Sequence, residues 1–188
     1  MATTSNIKNG SVIFHKNKRM KVVEFLHVKP GKGPAFVRTK LKSFSTGKVV
    51  DNTFTSGHKI DDVRVENRKY QFLYKDGETY HFMNNDDYNQ IEVDKSQIES
   101  DIFLKEGLIV TIIVNADDSN ILSVEMPQNV VLEVISSEPG IKGNTATNAT
   151  KNAKLETGAE INVPLFINEG DKVKVDTEKG VYLERIKQ

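Results

Sequence analysis

The 188-residue chain holds 26 Lys+Arg against 26 Asp+Glu and 37% hydrophobic side chains, a soluble profile with room for one large domain or two or three small ones. It has no Cys, which excludes disulfide scaffolds, thiolate metal sites and cysteine nucleophiles. Residues 1–8 lack the apolar core of a signal peptide, and no later window approaches the roughly 20 apolar residues that span a bilayer, so a cytoplasmic protein with no membrane contact is expected.

The net charge of +0 conceals a segregation of sign. Residues 1–63 hold 12 Lys+Arg and 4 Asp+Glu, residues 64–127 hold 6 and 13, and residues 128–188 hold 8 and 9, so the three lengths carry +8, −7 and −1. A polyanion binder shows a basic face more than a high pI, and here that face belongs to the first third.

In chain order, Ser11 to Phe14 opens a series of short β-prone runs, followed by a polar turn at Lys16 to Lys18. Met20 to Val28 is apolar and β-branched, and Ala35 to Lys42 alternates apolar and polar, which predicts a long hairpin. Its tip is Lys29, Pro30, Gly31, Lys32, Gly33 and Pro34. Gly31 and Gly33 can take positive φ, while Pro30 and Pro34 fix their own φ and push the preceding residues towards extended backbone. Lys32 therefore stands at the apex of a stiffened loop. From Lys29 to Lys42 there are five cations, Lys29, Lys32, Arg38, Lys40 and Lys42, and no acid, a field that points to a polyanion. Lys48 to Phe54 adds a strand, and nothing from Ser11 to Ile60 has helical period, so a small SH3-like barrel is expected.

A boundary is expected near Asp61 to Val63, where the charge changes sign. Tyr70 to Tyr74 and Thr79 to Met83 flank a turn with Asp-Gly at its centre, a hairpin signal, and Gln90 to Val93 reads as a short strand. From Asp94 to Leu104 the i, i+4 spacing of Ile98 and Ile102 predicts one amphipathic helix, with Asp94 as N-cap and Gly107 just past its end. Leu108 to Val114 and Asn120 to Val124 flank a turn at Ala116 to Ser119; strands interrupted by one helix match an OB barrel. Met126 to Asn129 reads as a linker. Strands then follow at Val130 to Ile135, Ala159 to Phe166, Lys172 to Asp176 and Val181 to Ile186, with a polar Thr/Asn/Gly-rich loop from Glu138 to Lys154. The expected fold is mainly β, three small barrels in a row: an SH3-like barrel over 1–63 and OB-fold barrels over 64–127 and 128–188.

No catalytic constellation is visible, and neither a metal nor a cofactor is expected. His15, His27, His58 and His81 are scattered without metal-ligand spacing. Asp61-Asp62, Asp86-Asp87 and Asp117-Asp118 lack the calcium-loop pattern and read as turn or strand residues. Gly31-Lys32-Gly33 is too short for a phosphate loop and is followed by a strand, not a helix. Lys32 keeps two readings on the residues alone: a solvated lysine at a turn, or a cation brought close to an RNA backbone by its small neighbours. RNA binding would be salt-dependent and shape-directed, because no row of base-stacking aromatics is present. A general single-stranded RNA-binding or chaperone module of OB type is the alternative function.

Three separated stretches then resemble one family. They are Lys29 through Pro34 to Arg38; Tyr80 to Asn85; and Gly158 through Val163, Pro164, Leu165 and Phe166 to Gly170, with Lys174 to Thr177. Together they resemble the bacterial elongation factor P family over essentially the whole chain. The resemblance implies a factor, not an enzyme, that binds both ribosomal subunits between the peptidyl and exit sites and relieves stalling at consecutive prolines. It implies a monomer whose Lys32 meets the acceptor end of peptidyl-tRNA, with Pro30, Gly31, Gly33 and Pro34 holding it. It further implies codon-side and small-subunit contacts at Gly143, Asn144, Thr145, Ala146, Thr147, Tyr182 and Arg185. Many members carry the tip lysine modified, which would add a lysine-modifying enzyme as partner. Pro34, however, stands where members with a lysyl-extended lysine often have Gln, and a tip with prolines on both sides is stiff enough to act with a bare lysine.

Overall fold

Side chains of a strand face opposite ways in turn, and most of this chain is written in that period. In Phe36–Ser43, Val37, Thr39, Leu41 and Ser43 are buried while Arg38 and Lys40 face out; in Thr79–Asn84, Tyr80, Phe82 and Asn84 are buried. The computed structural model describes residues 2–139 and 149–186, and it is mainly β.

The first sheet comprises β1 (Ala2–Thr3), β2 (Val12–His15), β3 (Lys18–Val28), β4 (Phe36–Ser43), β5 (Val49–Thr55) and β6 (Lys59–Val63), in the spatial order β1-β6-β2-β3-β4-β5. It curls as a half-barrel over Ile7, Ile13, Met20, Val22, Leu41, Phe54 and Ile60. The second sheet is β11-β10-β7-β8-β9, built from β7 (Val65–Asp76), β8 (Thr79–Asn84), β9 (Gln90–Asp94), β10 (Ile109–Asn115) and β11 (Ile121–Glu125). Phe72, Tyr80 and Phe82 lie at its centre, the Phe72 and Phe82 rings 5.4 Å apart. The third is β14-β13-β12-β15-β16, from β12 (Asn129–Ser137), β13 (Thr150–Leu155), β14 (Glu160–Pro164), β15 (Lys172–Asp176) and β16 (Val181–Ile186).

By packing, the chain divides into two compact units: Met1–Asn67 with Ile113–Ser123, and Arg68–Ile112 with Val124–Gln188. In the first, Val12, Ile113 and Leu122 form a small second core, and the Arg19 guanidinium lies 3.2 Å from the Asp118 carboxylate. In the second, Phe103 is buried in the core of the third sheet among Val130, Leu132, Val173 and Val175. The Lys105 ammonium meets Glu156 at 2.8 Å nearby, and the same carboxylate accepts the Glu133 N–H.

Two expectations are corrected. Asp94 to Leu104 is not one helix: single 3-10 turns occupy Lys95–Gln97 and Asp101–Phe103, and between them Ile98 is extended and bridges Val124. Ser100 takes φ +58, which ends any right-handed helix there. Short helices are costly to nucleate, and tertiary burial of Ile98, Phe103 and Leu104 outweighs the i, i+4 spacing, leaving Ile102 53% exposed. The polar run Glu138 to Lys154 is not all loop either. Its end, with Leu155, forms β13, where Lys151, Ala153 and Leu155 turn inward and the inward lysine disguises the alternation.

Candidate nucleic-acid interface

The predicted hairpin exists, and its register shows how its base is braced. β3 and β4 pair from Met20 opposite Ser43 to Val28 opposite Phe36, with a bulge between Val22 and Glu24. β5 follows β4 along the whole of that length, from Lys42 opposite Val49 to Phe36 opposite Thr55, and the Ser56 N–H donates to the Ala35 carbonyl at 2.9 Å. A three-stranded support therefore reaches the base of the loop, and residues 29–35 alone project beyond it.

Gly31, Lys32, Gly33 and Pro34 are all exposed. Gly33 takes φ +114, where a side chain would strain the backbone, while Gly31 does not use the positive φ open to it. A Cβ built on Gly31 meets nothing within 4 Å. Small size at position 31 is thus not required by the loop itself.

The cations of the hairpin are not equivalent. The Lys40 ammonium lies 2.7 Å from Glu24 across the ladder, and the hydrogen bond and charge of Glu24 raise its pKa, with Asp51 on the other flanking strand adding to the effect. The run from Lys29 to Lys42 is acid-free in sequence but not in space, because strand pairing brings acids in from both sides. The Arg38 guanidinium sits 5.6 Å from the centre of the Phe36 ring. Lys42 stands opposite Lys21 and is half-buried. No carboxylate pairs with Lys29 or Lys32 among the described residues, so the unmatched charge of this end gathers at the tip.

The histidines take aromatic neighbours. His58 stacks on Phe54, His81 stacks on Tyr74 at 4.4 Å, and His15 and His27 meet Phe54 and Phe25 edge-on. No group of three or more acids and histidines is placed to hold a metal ion among the described residues.

Of the other expected contacts, Gly143, Asn144, Thr145, Ala146 and Thr147 lie outside the described residues. Tyr182 packs, half-buried, against the third core. Arg185 reaches the Asp171 carboxylate at 3.6 Å and covers the Phe166 ring at 5.5 Å. Phe166, which the sequence analysis named in a stretch resembling the family, is 58% exposed.

Family models cover the chain in order: the KOW-like domain of elongation factor P over residues 3–60, its OB domain over 65–124 and its C-terminal domain over 130–185. Elongation factor P of Christiangramia forsetii is 62% identical over 188 residues, covering 100% of both chains. The chain belongs to the elongation factor P family. Elongation factor P of Flavobacterium psychrophilum is 59% identical over 187 residues, and that of Flavobacterium johnsoniae 58% over 188, each with 100% of both chains covered. Membership in the elongation factor P family makes the chain a translation elongation factor, and the Lys32 tip is an exposed part of its first sheet.

Proposed function

We propose that the chain binds the ribosome between the peptidyl and exit sites and speeds peptide-bond formation at consecutive prolines by positioning the acceptor end of peptidyl-tRNA. It has no catalytic residue of its own. It acts in the cytoplasm as a monomer, with 1–63, 64–127 and 128–188 as its three domains. The observation that carries this reading is the unmatched Lys32 on a short loop whose base is braced by three strands. Proline reacts slowly as an acceptor because its secondary amine and fixed φ misplace the reactants, so holding the tRNA end in place lowers the barrier without new chemistry. Bracing the loop before binding limits the ordering cost, which for a free lysine side chain is about 2 kcal/mol.

In this reading Lys32 acts unmodified, Lys29, Arg38 and Lys42 supply phosphate attraction, and Tyr182, Arg185 and residues 143–147 face the small subunit. The test is toeprinting of ribosomes on a message encoding Pro-Pro-Pro. Added protein removes the stall at the second or third proline and leaves a stall caused by a rare codon in place. A stall that persists at the prolines contradicts the proposal. Equal affinity for free single-stranded RNA and for ribosomes would instead favour a general RNA-binding module.

A further inference from the structure

Unmatched cations of the first sheet lie at both ends of β3 and β4. Opposite the Lys32 tip, the two-residue turn between β2 and β3 meets the turn between β4 and β5, which the Ser43 N–H fastens to the Lys48 carbonyl at 2.9 Å. β3 is 11 residues long, so at about 3.3 Å per residue the two ends stand on the order of 35 Å apart. Here His15, Lys16, Lys18 and Lys48 line a cavity of about 280 Å³, together with the apolar side chains of Met20 and Val50. Its one acid is Asp51, which faces Lys40 in the ladder and acts on that ammonium. None of Lys16, Lys18 and Lys48 is ion-paired among the described residues, whereas Lys40, Lys95, Lys105 and Lys174 each have a carboxylate.

Backbone geometry adds a second observation. Lys16 takes φ +47 and Asn17 φ +62, the left-handed pair that a two-residue hairpin loop requires. Asn tolerates that region through its short polar side chain, and Lys has no such compensation. A lysine kept where Asn or Gly fits better is local strain of the kind that collects at binding sites. Burial, and then the charge of Lys16, hold the His15 imidazole below its ordinary pKa, so the field of Lys16 reaches into the cavity.

We propose that Lys16, Lys18 and Lys48 form a second RNA-backbone site, taking a phosphodiester between the ammonium groups with the adjoining ribose over the exposed Val50 side chain. The inference rests on the ribosome binding proposed above and assigns the RNA contact of the end of the domain away from the tip. Lysines suit a phosphate as point charges, and two cationic ends along one sheet fit a continuous polyanion better than a separate acidic peptide.

The test uses the full chain on ribosomes. Lys16→Asn suits the turn, and with Lys18→Gln and Lys48→Gln it removes the three charges while a thermal melt checks that the fold is kept. The slope of log affinity against log salt is expected to fall by at least about 1, with Lys59→Gln as a control that moves it much less. Because the chain has no Cys, Thr46→Cys carries a short photo-crosslinker at the rim of the cavity, and nuclease is expected to return its adduct to nearly the mobility of the free chain, whereas an adduct to ribosomal protein would resist nuclease. An unchanged slope in the triple variant, or an adduct to ribosomal protein, overturns this site and leaves the proposed function standing. Failure of the wild-type chain to bind ribosomes strikes the proposed function itself.

Discussion

Lys40 and Glu24 pair across the β3–β4 ladder at 2.7 Å, with both side chains about half or more exposed, and this pairing separates the cations that face the hairpin's own acids from those left for a partner. Lys40→Gln should therefore weaken ribosome binding less than Lys32→Ala, and should change the salt slope by well under 1. Filter binding across a salt series measures both. A larger loss for Lys40→Gln than for Lys32→Ala would show that the ladder pair opens on binding and that Lys40 is free to meet the partner.

Gly31 and Gly33 separate loop geometry from contact. Gly33 takes φ +114, where an Ala would cost roughly 1–3 kcal/mol, so in Gly33→Ala the exposed loop shifts to relieve that strain, which displaces the tip and lowers activity with little change in melting temperature. Gly31→Ala has open space and ordinary φ, so the free protein is unaffected. Any activity it loses reports a close approach by the tRNA end. Melting curves with translation assays on both variants distinguish these outcomes, and a destabilised Gly31→Ala is the result that does not fit.

Phe103 fills the core of the third half-barrel from a 3-10 turn outside that sheet, its ring 3.6 Å from where a Cβ on Gly180 would lie. Phe103→Ala should cost about 3–5 kcal/mol, while its neighbour Ile102→Ala costs about 0.5 kcal/mol or less. Denaturant unfolding tests the contrast. Comparable losses at the two positions would mean that the turn packs in another way.

Tyr80 is buried and donates its hydroxyl to Asp101; burial first, then that bond and the neighbouring negative charge, push its phenol far above the ordinary range. A raised folded pKa stabilises fully below the unfolded value near 10 and is lost as pH rises above it. Tyr80→Phe should be about 1 kcal/mol less stable at pH 7, and the gap should narrow as the pH passes 10. Unfolding at a series of pH values checks the sign, and a gap that widens above pH 10 would falsify the assignment.

Prolines on both sides of Gly31-Lys32-Gly33 fix their own φ and push the residues before them towards extended backbone, and the proposed function uses Lys32 unmodified. Peptide mapping over residues 21–42 of the native protein should return Lys32 at its unmodified mass. Added mass on Lys32 would show that a lysine-modifying enzyme is a partner and that Pro34 does not substitute for its product.

The hairpin and the strands at Lys172–Asp176 and Val181–Ile186 were legible because period-2 alternation and turn residues are local signals. Asp94 to Leu104 was misread because its apolar residues answer to distant partners: Ile98 to Val124, Phe103 to the third core. β13 escaped notice because Lys151 occupies an inward position. At the site, Lys32 and its loop were readable from Pro and Gly placement. The neutralisation of Lys40 by Glu24 was not, since it depends on the register of β3 against β4 and on the bulge near Val22.

The central claim is that Lys32 positions the acceptor end of peptidyl-tRNA, and the rate of peptide-bond formation between successive prolines in a purified translation system tests it most directly. The wild-type chain should raise that rate, Lys32→Ala should lose most of the gain while still binding ribosomes, and Lys40→Gln should keep most of it. Full acceleration by ribosome-bound Lys32→Ala would contradict the account.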